Sequence, residues 1–275
     1  MIAFQEKFHW LIELSDQRRL KSILLLTGAF TFAFLFGELV HEFGHYFCHV
    51  VYDNAGVQVH IDPFGGTHIS GADGLTDKVL GVTSAAGPLL NLASGLALFL
   101  LLWRLRRPIL LPLLLWGAVA MIQEGVTFSL GLLTPGGDAD WISVLGVPEP
   151  IILVLGLMLL VAGIGTVALL LPLAGITRDD PARTKLVILL TGTCSLMMVR
   201  AVHSFLVAPE SVMENFIPMV FAVLLAAIIA LVYPVVIKIS SKTVSSQMFI
   251  VTWSATFLAL VLGAATFFFQ VFAFN

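Results

Sequence analysis

The sequence contains little charge and few of the polar residues that cover the surface of a water-soluble domain. Only 11% of its 275 residues are charged, whereas 59% are hydrophobic, and the mean hydropathy is +1.01. Because a soluble domain of this length could not cover so much apolar surface, the composition excludes that class and predicts a polytopic membrane protein. The formal net charge of −3 is too small to indicate nucleic acid or an acidic partner.

Cysteine is almost missing as well. Cys48 and Cys194 are the only two cysteines, and both lie in apolar stretches. They form neither a disulfide framework nor a CxxC motif, which excludes a disulfide-stabilised scaffold and a CxxC zinc or redox site.

Seven apolar stretches each reach or exceed the ~20 residues that an α-helix needs to cross the hydrocarbon core of a bilayer. Residues 1–21, which precede them, mix aromatic and charged side chains and are predicted to form an amphipathic segment at the membrane interface. The seven predicted spans are Ser22–Val50, Val79–Trp103, Ile109–Leu133, Pro150–Leu173, Leu186–Val207, Phe216–Ile237 and Met248–Phe274.

Basic residues alternate between the two ends of these spans. Lysine and arginine precede the first span and follow the second, fourth and sixth, whereas Lys78 is the one basic residue in the intervening segments. The positive-inside rule then predicts an integral, multi-pass protein with its N-terminus in the cytoplasm. The basic residues that alternate are Arg18, Arg19, Lys21, Arg104, Arg106, Arg107, Arg178, Arg183, Lys185, Lys238 and Lys242.

The chemistry is concentrated in an HExxH motif, residues 41–45, inside the first span. Positions i and i+4 of a helix share one face, so His41 and His45 can bind one metal ion. Glu42 is then placed to hydrogen-bond a water on that metal and to take its proton. The motif is short, but ionisable groups cost several kcal/mol in a bilayer, and such a cluster therefore needs partners or a metal.

A catalytic zinc needs a third protein ligand and an open position for water. The third span ends at Leu133, on the same side of the membrane as the motif, and a Pro/Gly turn directly after it precedes Asp138 and Asp140. Asp138 is the predicted third ligand, with Asp140 as the alternative. His49, one turn beyond His45, is a rival that is expected to line the mouth of the site.

Three motifs together resemble the site-2 protease family of intramembrane metalloproteases, peptidase family M50. They are HEFGH at 41–45, AGPLLN at 86–91 and PGGD at 135–138. The resemblance covers roughly residues 35–141 and implies Zn²⁺ as cofactor, His41, His45 and Asp138 as its ligands, and Glu42 as general base. Gly137-Asp138-Ala139 stands where that family usually has Leu-Asp-Gly, and its upstream asparagine is missing, so Asn91 is the predicted substitute for the oxyanion-stabilising amide.

Other polar groups also carry predictions. Residues 57–61 and 67–70 alternate around a Pro/Gly turn, which predicts a β-hairpin whose edge could pair with an unwound substrate. Glu38 is expected to orient a ligand histidine. Arg200 is expected to pair with Glu124 and so to hold the back half of the helix bundle to the catalytic half.

The sequence therefore predicts an all-α polytopic membrane protein with about seven transmembrane helices, a three-helix catalytic core and a short β-hairpin between the first two. Residues 22–149 are the predicted metalloprotease-like core, and residues 150–275 form a four-helix region of unknown role. The predicted function is a zinc-dependent intramembrane endopeptidase acting on a membrane protein or membrane-bound peptide. A non-catalytic protease-like binder and, less favoured, a metal transporter are the alternatives.

Overall fold

The computed structural model describes residues 16–52, 56–64, 67–71, 75–133, 137–207, 212–240 and 249–274. Within these ranges the chain forms eight α-helices and one two-stranded hairpin. Their bounds are α1 Gln17–Val51, β1 Gln58–His60, β2 His68–Ser70, α2 Asp77–Leu102, α3 Leu111–Leu130, α4 Asp138–Val144, α5 Glu149–Leu170, α6 Ala182–Leu206, α7 Val212–Ser240 and α8 Trp253–Phe274. Short 3₁₀ turns extend α3 at both ends and α5 at its C-terminal end.

Seven of the described helices are long and apolar enough to span a bilayer, and only α4 is short. The predicted all-α, multi-pass membrane fold is confirmed, so the lipid bilayer is the environment of this protein. The first span begins at Gln17, where Asp16 accepts a hydrogen bond from the backbone N–H of Arg18, rather than at Ser22. Residues 1–15 of the predicted interfacial segment lie outside the described residues.

The helices are arranged around α1, which packs against α2, α3, α6 and α8. Helices α1, α2 and α3 also contact one another pairwise, as the predicted three-helix core requires. The α3 span is 72% buried inside the protein, whereas the α8 span is only 17% buried. Thus α3 is an internal helix, and a polar side chain on it faces other protein groups rather than lipid.

The later helices share one apolar core with the first three. Helix α5 packs along α3, and the two backbones meet where Gly125 faces Gly156; a Cβ on either residue would meet the other helix's backbone at 2.7–2.9 Å. Such close approach is how small residues bring membrane helices together. Helix α7 packs against α5 and α6, and α8 packs along α1.

The predicted β-hairpin is confirmed between α1 and α2. Its strands are antiparallel, with Val59 opposite Ile69 and His60 opposite His68. The turn end is attached to α6, because Nε of Arg200 donates to the carbonyl oxygen of Pro63 (2.8 Å) and the Phe64 ring stacks on His203 at 3.9 Å between centroids. The hairpin is therefore fixed against the helix bundle; Gly65 and Gly66 of its turn lie outside the described residues.

The predicted Arg200–Glu124 ion pair is wrong. Arg200 donates to both carboxylate oxygens of Glu38 instead, at 3.1 and 2.7 Å, and its guanidinium lies over the Phe34 ring. The physical reason is that α6 and α3 contact α1 separately, so Glu38 is the carboxylate that faces α6. Through this bidentate pair and its bond to Pro63, Arg200 connects α6 with α1 and the hairpin.

Removing one partner of this pair is expected to destabilise the fold. Arg200 is only 5% exposed, so Arg200→Met leaves the Glu38 carboxylate without its cation in apolar surroundings, at a cost of roughly 3 kcal/mol. The double variant Arg200→Met/Glu38→Met removes the unpaired charge and should recover most of that loss. Thermal unfolding in detergent measures both; a double variant no more stable than the single one contradicts this account.

Candidate metal centre

Three side chains from two helices converge near the C-terminal end of α1. The Nε2 atoms of His41 and His45 lie 2.9 Å apart, and Oδ2 of Asp138 lies 3.0 Å from the first and 3.5 Å from the second. Among the described residues this is the one group of three or more His, Cys, Asp or Glu side chains close enough to hold a metal. The structure thus brings together the three predicted ligands.

The hydrogen bond that each imidazole makes through Nδ1 determines whether its Nε2 atom can bind a metal. His45 Nδ1 lies 2.7 Å from the carbonyl oxygen of Thr83, which can only accept, so His45 Nδ1 carries the hydrogen. His41 Nδ1 lies 3.0 Å from Oε1 of Glu124, and the same reasoning applies to that carboxylate. In the neutral rings both Nε2 atoms then present lone pairs to each other and to Asp138. Lone pairs this close repel one another unless a cation lies between them.

The triangle has the dimensions of a tetrahedral zinc site. With ligand bonds of about 2.0–2.1 Å, the ligand atoms of tetrahedral Zn²⁺ lie about 3.3 Å apart. The observed edges of 2.9, 3.0 and 3.5 Å surround that value. Two imidazoles and one carboxylate are also a donor set that zinc accepts, with a fourth position left open. The residues present therefore fit the metal that the sequence predicts.

Asp138 reaches the histidines because α4 begins with it. Gly137 precedes it in extended conformation and turns the chain so that the first carboxylate of α4 faces α1. Burial alone raises the pKa of Asp138, but its interactions with His41 and His45 outweigh burial and hold that pKa below its usual range. The group is therefore an anionic oxygen donor. Residues 134–136, which include the predicted Pro135 turn, lie outside the described residues.

The two rival ligands lie outside this triangle. Asp140, two residues along α4, is not part of the cluster, and its backbone carbonyl accepts a hydrogen bond from Ser143. His49 is 4% exposed, and its Nδ1 has no hydrogen-bond partner among the described residues. The geometry therefore favours Asp138 over both.

A buried network orients His41. Glu124, 1% exposed, accepts from His41 Nδ1 and, at 2.6 Å, from Nδ2 of Asn91 through the same oxygen. Oδ1 of Asn91 in turn accepts from the indole N–H of Trp116 at 3.0 Å. Glu38 was expected to orient a ligand histidine, and this is wrong: Glu124 does so, because Glu38 is turned toward Arg200. The catalytic role of Asn91 stays a prediction, and its contacts place it behind Glu124.

The AGPLLN segment makes room for His45. A Cβ added to Gly87 would overlap the His45 imidazole, and one added to Gly44 would meet the backbone of Ala86 and Gly87. These two glycines let α1 and α2 approach so closely that the Thr83 carbonyl reaches His45. The sequence showed the motif, but a backbone acceptor such as Thr83 has no signature of its own.

Glu42 completes the site. It is 9% exposed, lies within electrostatic range of His41, His45 and Asp138, and borders the same cavity as His41. A carboxylate beside a metal site, without being one of the three converging ligands, is what a general base requires.

The chain matches no protein-family model, no curated protein and no solved structure. Its resemblance to the site-2 protease family is therefore limited to the three short motifs, and the geometry of the site is what bears on its function.

Metal affinity can test whether the absence of a side chain at Gly87 leaves the room that the His45 ring needs. Gly87→Ala adds a methyl where the His45 ring lies, so zinc affinity should fall at least about tenfold. Gly165→Ala is the matched control, because a Cβ at Gly165 has nothing within 4 Å. Competition with a chromophoric chelator in detergent measures both; equal affinities would show that the ring is not held where the structure places it.

Two variants can separate the role of Glu124 as a hydrogen-bond acceptor for His41 from the effect of its charge. Glu124→Leu removes the acceptor for His41 Nδ1 and should weaken zinc binding by about 10- to 100-fold. Glu124→Gln keeps an oxygen that can accept from both His41 and Asn91, so it should retain more affinity than Leu. The neighbouring Gln123→Leu, which removes a donor to the Phe34 carbonyl but no contact to a ligand, is the control. Wild-type affinity in Glu124→Leu would contradict the orienting role.

Proposed function

We propose that the protein is a zinc-dependent intramembrane endopeptidase that hydrolyses peptide bonds of membrane-embedded substrates. The observation that carries the proposal is the triangle of three converging donors with Glu42 beside it, inside a transmembrane helix bundle. His41, His45 and Asp138 would hold the metal. When bound, Zn²⁺ supplies Lewis-acid chemistry, which polarises the peptide carbonyl and acidifies water.

The residues of the chain supply the proton transfers. Glu42 accepts a proton from the attacking water as its oxygen bonds to the carbonyl carbon, and then delivers that proton to the amide nitrogen as the C–N bond breaks. Glu124 and the Thr83 carbonyl hold the two imidazoles in one tautomer throughout. Such a base contributes typically 10²- to 10⁴-fold to the rate.

The location of the site supports a substrate in or at the membrane. The side chains of His41 and Asp138 are 15% and 20% exposed, so the cluster is only partly buried. A metal transporter requires ligands along its path, whereas the three donors here lie at one depth. The position of Glu42 favours hydrolysis over metal storage alone.

Metal content and cleavage, measured on the same preparations, test the proposal. Zinc by mass spectrometry should be about one per chain in wild type, Glu42→Gln and Asp140→Ala, and should be lost in His45→Ala and Asp138→Ala. Cleavage is followed as fragments of a transmembrane-peptide library reconstituted with the protein. Wild type and Asp140→Ala should cut, and Glu42→Gln should lose about 10²-fold or more.

Two results would overturn it in different ways. If the Asp138→Ala variant still binds zinc, Asp138 is not the third ligand and the proposed three-donor site is refuted. Bound zinc without any cleavage in wild type favours the non-catalytic protease-like protein that binds membrane substrates.

A further inference from the structure

A cavity of about 480 Å³ continues from the candidate metal centre into the helix bundle. It lies between α1, α3, α6 and α7. His41, Glu42, Asn91 and Glu124 line one part of it, and it extends along α1 as far as Phe30. The cavity is therefore continuous with the proposed active site.

The size of the cavity limits what it can hold. Phe30 and His41 are eleven residues apart, which corresponds to about 16 Å along α1. The cavity volume of about 480 Å³ lies in the range of pockets that hold small ligands, and it is enough for a few large side chains.

The walls of the cavity select apolar groups. Large apolar side chains dominate the lining, including Phe34, Ile122, Leu196, Met197 and Phe221. Away from the metal centre, the charged groups of the described lining are Glu38 and Arg200, and they neutralise each other. A charged guest would lose its hydration there without gaining a partner, whereas a large apolar guest would bury its surface.

We propose that this cavity binds large apolar side chains of a substrate segment next to the scissile bond, and that it gives the enzyme a preference for leucine- and phenylalanine-sized residues there. The inference rests on the proposed function and names the class of substrate. Occupation by a lipid acyl chain is the competing outcome.

Ala222 of α7 offers a way to fill the cavity. It is 7% exposed and lines the wall, so Ala222→Leu narrows the space without adding charge. Met197→Ala on α6 widens it from another wall and does not depend on Ala222→Leu folding. Val223→Leu, on the adjacent and 43% exposed position of α7, is the control.

The test is a binding assay in the Glu42→Gln background, so that cleavage is not needed. The probes are fluorescent transmembrane peptides with a central Gly-Ser pair that weakens the helix. Each carries one guest residue, Ala, Leu or Phe, at one of four positions on either side of that pair. At one position, Leu and Phe guests should bind roughly tenfold or more tighter than Ala. Ala222→Leu should abolish the advantage of Phe, Met197→Ala should increase it, and Val223→Leu should change nothing.

Several results would overturn the inference. One is equal affinity for all guests at every position in the wild-type cavity; another is a uniform loss for all guests in Ala222→Leu. A lipid detected by native mass spectrometry in the parent, lost in Ala222→Leu while guest preference is unchanged, assigns the cavity to an acyl chain. If binding depends on the guest residue but the wild-type protein cleaves no peptide, the proposed protease function is refuted while the assignment of the cavity stands. The two failures are therefore distinguishable.

Discussion

The two hydrogen bonds that hold the His41 and His45 rings are the constraint on which the candidate metal centre depends. Nδ1 of His45 donates to a backbone carbonyl, and Nδ1 of His41 faces a carboxylate. In the neutral rings, the two Nε2 atoms therefore direct their lone pairs at each other and at Asp138. Three helices are held in position to keep this arrangement: α2 through Thr83, α3 through Glu124 and α4 through its first residue. Lone pairs directed at one point repel one another, and a cation bound there would turn that repulsion into attraction.

Several polar groups along α1 are matched by groups on other helices. Glu124 and Asn91 lie on the α2 and α3 side, whereas Arg200 meets Glu38 on the α6 side. About two turns before the HExxH motif, Gln123 and Gln270 donate to successive carbonyl oxygens of α1, those of Phe34 and Leu35. Because an unpaired polar group in hydrocarbon is costly, this matching fixes the rotation of α1 about its axis, and with it the direction of both histidines.

The sequence predicted what depends on position along a helix and failed on what depends on direction around it. Hydropathy gave the seven spans, and i, i+4 spacing with the turn before Asp138 gave the three converging groups. Glu38 and Glu124 were assigned to each other's roles, because the sequence does not show which neighbour each carboxylate faces. The Thr83 carbonyl is a main-chain group, and the close approach at Gly87 needs two helices together, so neither could be foreseen from one segment.

The two sides of the proposed active site differ in a way that bears on how a substrate would be presented. Asp138 approaches the histidines from α4, whereas the cavity, whose lining does not include Asp138, is mostly apolar. A substrate that enters the cavity would therefore bury apolar side chains there. Thr67 of the hairpin lines the same cavity, and Arg200, which also lines it, donates to the Pro63 carbonyl. The hairpin is therefore held at the edge of the cavity, and its edge pairing with an extended substrate stays a prediction.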